Sequence, residues 1–231
     1  MPEIVTRAQW LEHRLNLLAD EKEFNRLRDE LSAKRRQKPW VAVEDDYQFT
    51  GEQGLVSLGG LFGNCSQLII YHFMYGEDWQ EGCPSCSFWA DNFNGIQAHL
   101  NARDAAFAVV SVAPYENLKA YQNRMGWDFT WVSSQGNSFN QDYQVSFNDE
   151  LRASGKAIYN YKTSTFPSDE APGVSVFIRD ETDRIYHSYS TYSRGLDMLN
   201  GAYHFMDLLP GGRDEAELPY PQAWVKPHDS Y

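Results

Sequence analysis

Cysteine is scarce in this 231-residue chain, with three in all. No disulfide framework can hold it, so its stability has to come from a packed core. Basic side chains are also few: 20 Lys and Arg face 32 Asp and Glu, a formal net charge of −12. A surface of that sign repels phosphate backbones, which argues against a nucleic-acid partner. The one basic cluster, Lys34 to Lys38, closes a predicted helix, where cations offset the negative end of the dipole. No stretch approaches the ~20 apolar residues that cross a bilayer, so no membrane partner is expected. The opening string MPEIVTRAQWLEHR lacks the apolar centre of a signal peptide and carries an early acid. A reducing, cytoplasmic setting is the expectation. Internal repeats are absent too, and the length suits one large domain with an added terminus.

Aromatic residues, in contrast, are plentiful at 15 %, including 14 Tyr and 7 Trp. Two of the three cysteines share the segment Cys83-Pro84-Ser85-Cys86. It lies between an apolar run, Gln67 to Met74, that reads as a buried strand, and a helical stretch with Phe88, Phe93, Ile96 and Leu100. A C-x-x-C in that position reads as a thioredoxin-like redox motif. Cys83 would meet the unpaired N–H groups of a helix start, which favour a thiolate, and Pro84 suits the first helical position. A surface thiol titrates near pH ~8.5, whereas C-x-x-C thiols at helix starts fall to roughly 3.5–7.5. Cys83 is then the attacking thiolate and Cys86 the resolving thiol. Half of a zinc site, or two inert thiols, would fit the same four residues.

Thr6 and Gln9 form a capping-box pair before a helix from about Arg7 to Arg36, with Trp10, Leu11, Leu15, Phe24, Leu27 and Leu31 at roughly helical spacing. Its charged opposite face suggests packing across the main domain or against a second subunit, a homodimer through this helix. Tyr47 to Phe49 and Leu55 to Ser57 read as a hairpin, and Phe107 to Ser111 as a second buried strand. Pro114 opens a helix that Gly126 ends. Trp127 to Phe147 is aromatic with polar interruptions, and Asn148 to Asp169 reads as a surface insertion. Val174 to Ile178 and Arg184 to Tyr189 form a hairpin around Asp180–Asp183, and Gly195 to Leu208 a closing helix. Strand, helix, strand, helix with apolar strands implies an α/β protein with a parallel sheet covered by helices.

That order of elements resembles the thioredoxin fold. More specifically, the strings YHFMYG, EGCPSCSFWADNF, KAYQNRMGW, PGVSVFIRDE, YSTYSRGLDMLNGAYHFMDL and AWVKPHD resemble a thioredoxin-like bacterial family of uncharacterised proteins, domain of unknown function 899. The resemblance covers nearly the whole chain. It implies an α/β, thioredoxin-like fold, a mixed central sheet flanked by helices, with a long N-terminal helix and an insertion before the final hairpin. The expected division is a helical extension over 1–40 and the thioredoxin-like domain over 41–231, with the insertion at about 135–170. Thioredoxins carry a cis-proline before the final hairpin, packed on the C-x-x-C. Pro172 matches that position by spacing, although an ordinary trans turn proline fits equally. Departures include Tyr71 and His72 where thioredoxin has a buried acid, Pro-Ser between the cysteines, and Trp79 four residues upstream of the motif.

Among the remaining candidates, His72 alternates with apolar neighbours on a predicted central strand. It is either a satisfied core histidine or a proton shuttle for the cysteines. His187 and His204 suit packing or the surface, and Cys65 a half-buried inert thiol. Tyr189, Tyr192 and Arg194 could hold an anionic group, or Arg194 could cap its turn and pair with Asp197. Three functions stay open. The first is a cofactor-free thiol–disulfide oxidoreductase acting on a small-molecule or protein thiol or disulfide, with Cys83, Cys86, Pro172 and His72. The second is a copper or zinc protein using Cys83, Cys86 and a histidine such as His187. The third is a binding module whose aromatic face, Trp127, Trp131 and Tyr143, holds a small molecule without turnover.

Overall fold

The computed structural model describes residues 3–163 and 165–231. Met1 and Pro2 of the opening string, and Ser164 of the expected insertion, lie outside them. The chain divides into a first unit ending at Pro39 and a second, Trp40–Tyr231. The first is one helix, α1 (Arg7–Arg36). Its start is fixed locally: the Gln9 N–H donates to Thr6 Oγ1, and the Thr6 N–H donates to Gln9 Oε1 at 3.0 Å. Arg26 pairs with Glu23 at 2.6 Å and with Glu30 one turn on. None of its residues is buried.

The second unit is built on an eight-stranded sheet. Its strands are β1 (Val41–Ala42), β2 (Gln48–Gly51), β3 (Gly54–Ser57), β4 (Gln67–His72), β5 (Ala105–Ser111) and β6 (Thr130–Ser133). A separate small hairpin, β7 (Ile158–Tyr159) and β8 (Lys162–Thr163), precedes the last two strands, β9 (Gly173–Arg179) and β10 (Ile185–Tyr192). The order across the sheet is β1-β10-β9-β4-β5-β6-β2-β3. β4, β5 and β6 run parallel, and β9 lies antiparallel against β4. The helices of this unit are α2 (Pro84–Ala90), α3 (Ile96–Asn101), α4 (Tyr115–Met125), α5 (Phe139–Asp142), α6 (Asp149–Ala153) and α7 (Gly201–Met206). This is a thioredoxin-like α/β arrangement: β4 leads into the cysteine helix, β5 follows it in parallel, and the antiparallel pair β9 and β10 completes the other side.

Alternation along the strands sends neighbouring side chains to opposite faces. Tyr71, Val109, Val174 and Trp131 join Cys86 and Trp89 in one aromatic-rich core. Ile70, Ala108, Val132 and Phe177 join Phe139 and Tyr143 in the other. His72 stacks on Phe139 and Tyr143, on that second face.

Four expectations need correction. The aromatic stretch after Gly126 contains a strand, β6. The helical stretch after the cysteines is two helices, because Gly95 takes φ 80° between them. The closing helix is a 3₁₀ segment, Ser193–Leu199, then the short α7, whose first turn Asn200 caps by accepting from the Tyr203 N–H at 3.0 Å. The polar stretch of the insertion is anchored in a small core, where its Ala157 and Tyr159 are buried with Val145 and Phe147 before it and Tyr192 of β10, and its Phe166 packs on them. Among the described residues, no helix is long and apolar enough to cross a membrane.

Candidate active site

After β4 the chain loops through Gly82 and returns beside the strand, where the Cys83 N–H donates to the Met74 carbonyl at 3.0 Å. Gly82 is buried, and a Cβ there would lie 2.7 Å from the Phe73 ring. Cys83 is the N-cap of α2 and Pro84 its first residue, as the missing N–H of proline permits. The Ser87 hydroxyl donates back to the Cys83 carbonyl at 3.0 Å, and Ser87 also meets the Tyr121 hydroxyl at 3.0 Å. One turn in, Cys86 is 2 % exposed, whereas Cys83 is half-buried. Both are free thiols.

The two sulfurs have opposite electrostatics. The Cys86 thiol beside it, foremost, and then the backbone N–H groups of Cys86 and Ser85, hold the Cys83 thiol below its ordinary pKa against burial. Burial, and then the charge that Cys83 would carry, push the Cys86 thiol well up. The Met74 N–H points at the Cys86 sulfur, 3.4 Å away, and the Tyr71 hydroxyl lies against it. The pair therefore holds one readily formed thiolate and one protonated thiol in contact.

Cys86 and Ser85 border a cavity of about 300 Å³. Trp89 and Leu196 form part of its wall, locked by an indole N–H that donates to the Leu196 carbonyl at 2.8 Å. Tyr159 and Phe166, from the insertion, line it too, and so does Pro172. Pro221 and Gln222 add a wall from the C-terminal tail, which Glu215 organises by accepting from Tyr203, Trp224 and the Gln222 N–H. Sequence reading left the insertion and the tail out of the site. The aromatics of YNYKTSTF and YPQAW were the available signal, but nothing in their spacing points to a cysteine far away in the chain.

Pro172 thus reaches the cavity wall with Cys86. Its peptide bond is trans, since no cis bond occurs among the described residues. The histidines stand elsewhere. His72 is 1 % exposed on the far face of the sheet, and its Nε2 lies 2.9 Å from the Ser175 hydroxyl. Ser175 meets Ser190 at 2.9 Å, and Ser190 meets Nε2 of His187 at 2.7 Å. His187 packs against Tyr143 and Phe177 on that same face. Neither imidazole reaches the cysteines: β4 turns Tyr71 toward Cys86 and its neighbour His72 away, and His187, paired with Phe177 across β10 and β9, lies on that far face too. The proposed shuttle (His72) and the proposed third metal ligand (His187) are both corrected by their place on the far face of the sheet. Among the described residues, no group of three or more His, Cys, Asp or Glu could hold a metal ion. Burial keeps His72 neutral, lowering its pKa to about 3 despite Asn140 nearby.

The expected aromatic face is also divided. Trp127 and Trp131 are buried with the cysteine-side core, while Tyr143 belongs to the other. His204 is exposed, and Arg194 pairs with Asp197 at 2.9 Å. A buried acid went unrecognised in the sequence because it sits in a polar stretch: Glu170, 4 % exposed, accepts from the Ser146 hydroxyl and from Asn140 at 3.4 Å. Burial, with Asp169 and Glu77 adding to it, raises its pKa to about 8 against those bonds.

A family model described as "Bacterial protein of unknown function (DUF899)" matches residues 1–231. The chain belongs to this family. Solved structures similar to this DUF899 protein include a cysteine variant of peroxiredoxin Q from Xanthomonas campestris, at 13 % identity and TM-score 0.46, covering 73 % of this chain and 98 % of that one. Peroxidoxin BcpB from Mycobacterium tuberculosis is 17 % identical at TM-score 0.46, over 71 % and 94 %. The mitochondrial 2-Cys peroxiredoxin from Plasmodium falciparum is 16 % identical at TM-score 0.41, over 71 % and 92 %. No curated protein matches the sequence.

Proposed function

We propose that this DUF899 protein is a thiol–disulfide oxidoreductase that cycles Cys83 and Cys86 between dithiol and disulfide. The observation that carries this reading is the asymmetry of the pair. A half-buried Cys83 with a lowered pKa adjoins a 2 % exposed Cys86 with a raised one. In the reductive half-reaction, the Cys83 thiolate attacks one sulfur of a substrate disulfide, and the other sulfur leaves as a thiolate. The Cys86 thiol gives its proton to that leaving thiolate and attacks the Cys83 sulfur. The second substrate thiolate departs and takes a proton from water. Two electrons pass to the substrate, and the protein gains one S–S bond. Tyr71 and the Met74 N–H favour ionisation of Cys86 at the second step. A reducing cytoplasm would keep the pair in the dithiol form between turnovers.

Oxidation of the reduced protein with graded amounts of a small disulfide, followed by alkylation and mass analysis, tests this reading. Two thiols should disappear together, leaving Cys65 alkylated. Independent loss of single thiols, or unchanged behaviour in Cys83→Ser, would reject it. So would stoichiometric copper or zinc, in protein purified without added metal, that is lost in Cys86→Ser.

A further inference from the structure

The cavity beside Cys86 restricts what can be seated there. About 300 Å³ is at the small end for ligand sites and holds a ring-sized group rather than a peptide strand. Two of its polar aromatics, Tyr159 and Trp89, have spent their hydrogen-bonding atoms on the protein. The Tyr159 hydroxyl donates to the Pro172 carbonyl at 2.8 Å and accepts from the Ser193 N–H at 3.0 Å. The Trp89 indole N–H is taken by Leu196. Both therefore offer rings, and Phe166 and Leu196 extend the apolar lining.

Charge enters through Arg194, whose side chain is 85 % exposed and which borders the cavity with Asp197. Asp197 is also bound by Arg213 at 3.1 Å, and Arg213 in turn holds Asp207 at 2.7 Å. Arg194 can swing off Asp197 without leaving that carboxylate uncompensated. It is thus a cation that an incoming anion can recruit, in a chain whose net charge of −12 repels anions generally. Guanidinium suits a carboxylate because its planar fork matches the two oxygens.

We infer that the cavity beside Cys86 seats one half of a small disulfide that has an aromatic or other apolar body and a carboxylate, with Arg194 as the carboxylate's anchor. This assignment rests on the thiol–disulfide reading above. The reacting sulfur would meet Cys83 next to Cys86, and the exchange is the one already written.

The test uses the full chain with Cys65→Ser, so that only the pair reports, reduced and mixed in stopped flow with two disulfides. Dithiobis-nitrobenzoate carries a carboxylate on each ring, and dithiodipyridine is aromatic and uncharged. The anionic disulfide should show saturation, and Arg194→Gln should raise its half-saturation concentration by about tenfold, with Arg194→Lys between the two. Dithiodipyridine should respond to neither variant. Equal effects on both disulfides, or none on either, would overturn the anchor while leaving the redox reading intact, provided both still form the Cys83–Cys86 bond. Failure of both disulfides to form that bond would overturn the redox reading itself. Arg194 is exposed, so an unfolded variant is not expected, and an unchanged thermal transition checks it.

Discussion

Cys83 and Cys86 differ by one turn of helix, and that turn separates a reactive thiol from a protected one. The lowered pKa of Cys83 gives it thiolate near neutral pH, and its partial exposure lets a reagent in. Cys86 has neither, being buried with its pKa raised. Limiting iodoacetamide at pH ~7 should therefore label Cys83 well before Cys86 or Cys65. Peptide mapping decides it, and first labelling at Cys86 or Cys65 would remove Cys83 as nucleophile. The motif made this pair legible in the sequence because C-x-x-C is local. Tyr71, Tyr159 and Arg194 owe their places around it to contacts between distant segments. The pattern of β4 does encode that Tyr71 and His72 face opposite ways, but only the fold says which face meets the cysteines.

At the scale of elements, the loop from β4 to α2 decides where Cys83 sits. Gly82 has no room for a methyl group: its Cβ would come 2.7 Å from the Phe73 ring and 3.0 Å from that of Tyr121. Those rings are buried in the same core and have little freedom to withdraw. Gly82→Ala should cost about 1–3 kcal/mol in chemical denaturation, as overpacking does. The shift should also carry into the adjoining Cys83 and narrow the labelling preference over Cys86. Gly211→Ala is the control, since nothing lies within 4 Å of the added carbon, and it should be silent. A Gly82→Ala protein with wild-type stability and wild-type selectivity would show that the loop does not set the geometry. The legibility of elements followed their boundaries. β4, β5, β9 and β10 are apolar or alternating runs flanked by turn residues, and α1 carries its own cap. β6 was legible in the alternation Trp127-Asp128-Phe129-Thr130-Trp131, but that alternation begins three residues before the strand, so its aromatics read as a continuous patch and not as an element. β1, two residues long, exists through its pairing with β10.

For the whole molecule, two buried ionisable groups should shape stability against pH in opposite directions. His72 keeps its proton off in the folded state down to about pH 3, whereas an ordinary histidine takes one near 6.5. Between those values the unfolded chain binds more protons, so stability falls as pH drops through this window. Glu170 is the reverse. Its folded pKa is about 8 against an ordinary 4.5, so the folded chain binds more protons between them and stability falls as pH rises. Each window spans a few pH units, and each group accounts for a swing of the order of 3–5 kcal/mol. From about pH 4.5 to 6.5 the two slopes oppose and nearly cancel. Below that range only the His72 slope remains of the two, and above it only the Glu170 slope. Wild-type stability from denaturant melts should therefore show a plateau near pH 4.5–6.5 with a fall on either side. Glu170→Gln keeps an acceptor for Ser146 and Asn140 but removes the titration, so its curve should climb through the plateau and exceed wild type near pH 8. His72→Gln should instead descend through it and lose less than wild type below pH 4.5. Parallel curves for wild type and both variants would mean that neither group is held in the charge state its surroundings impose.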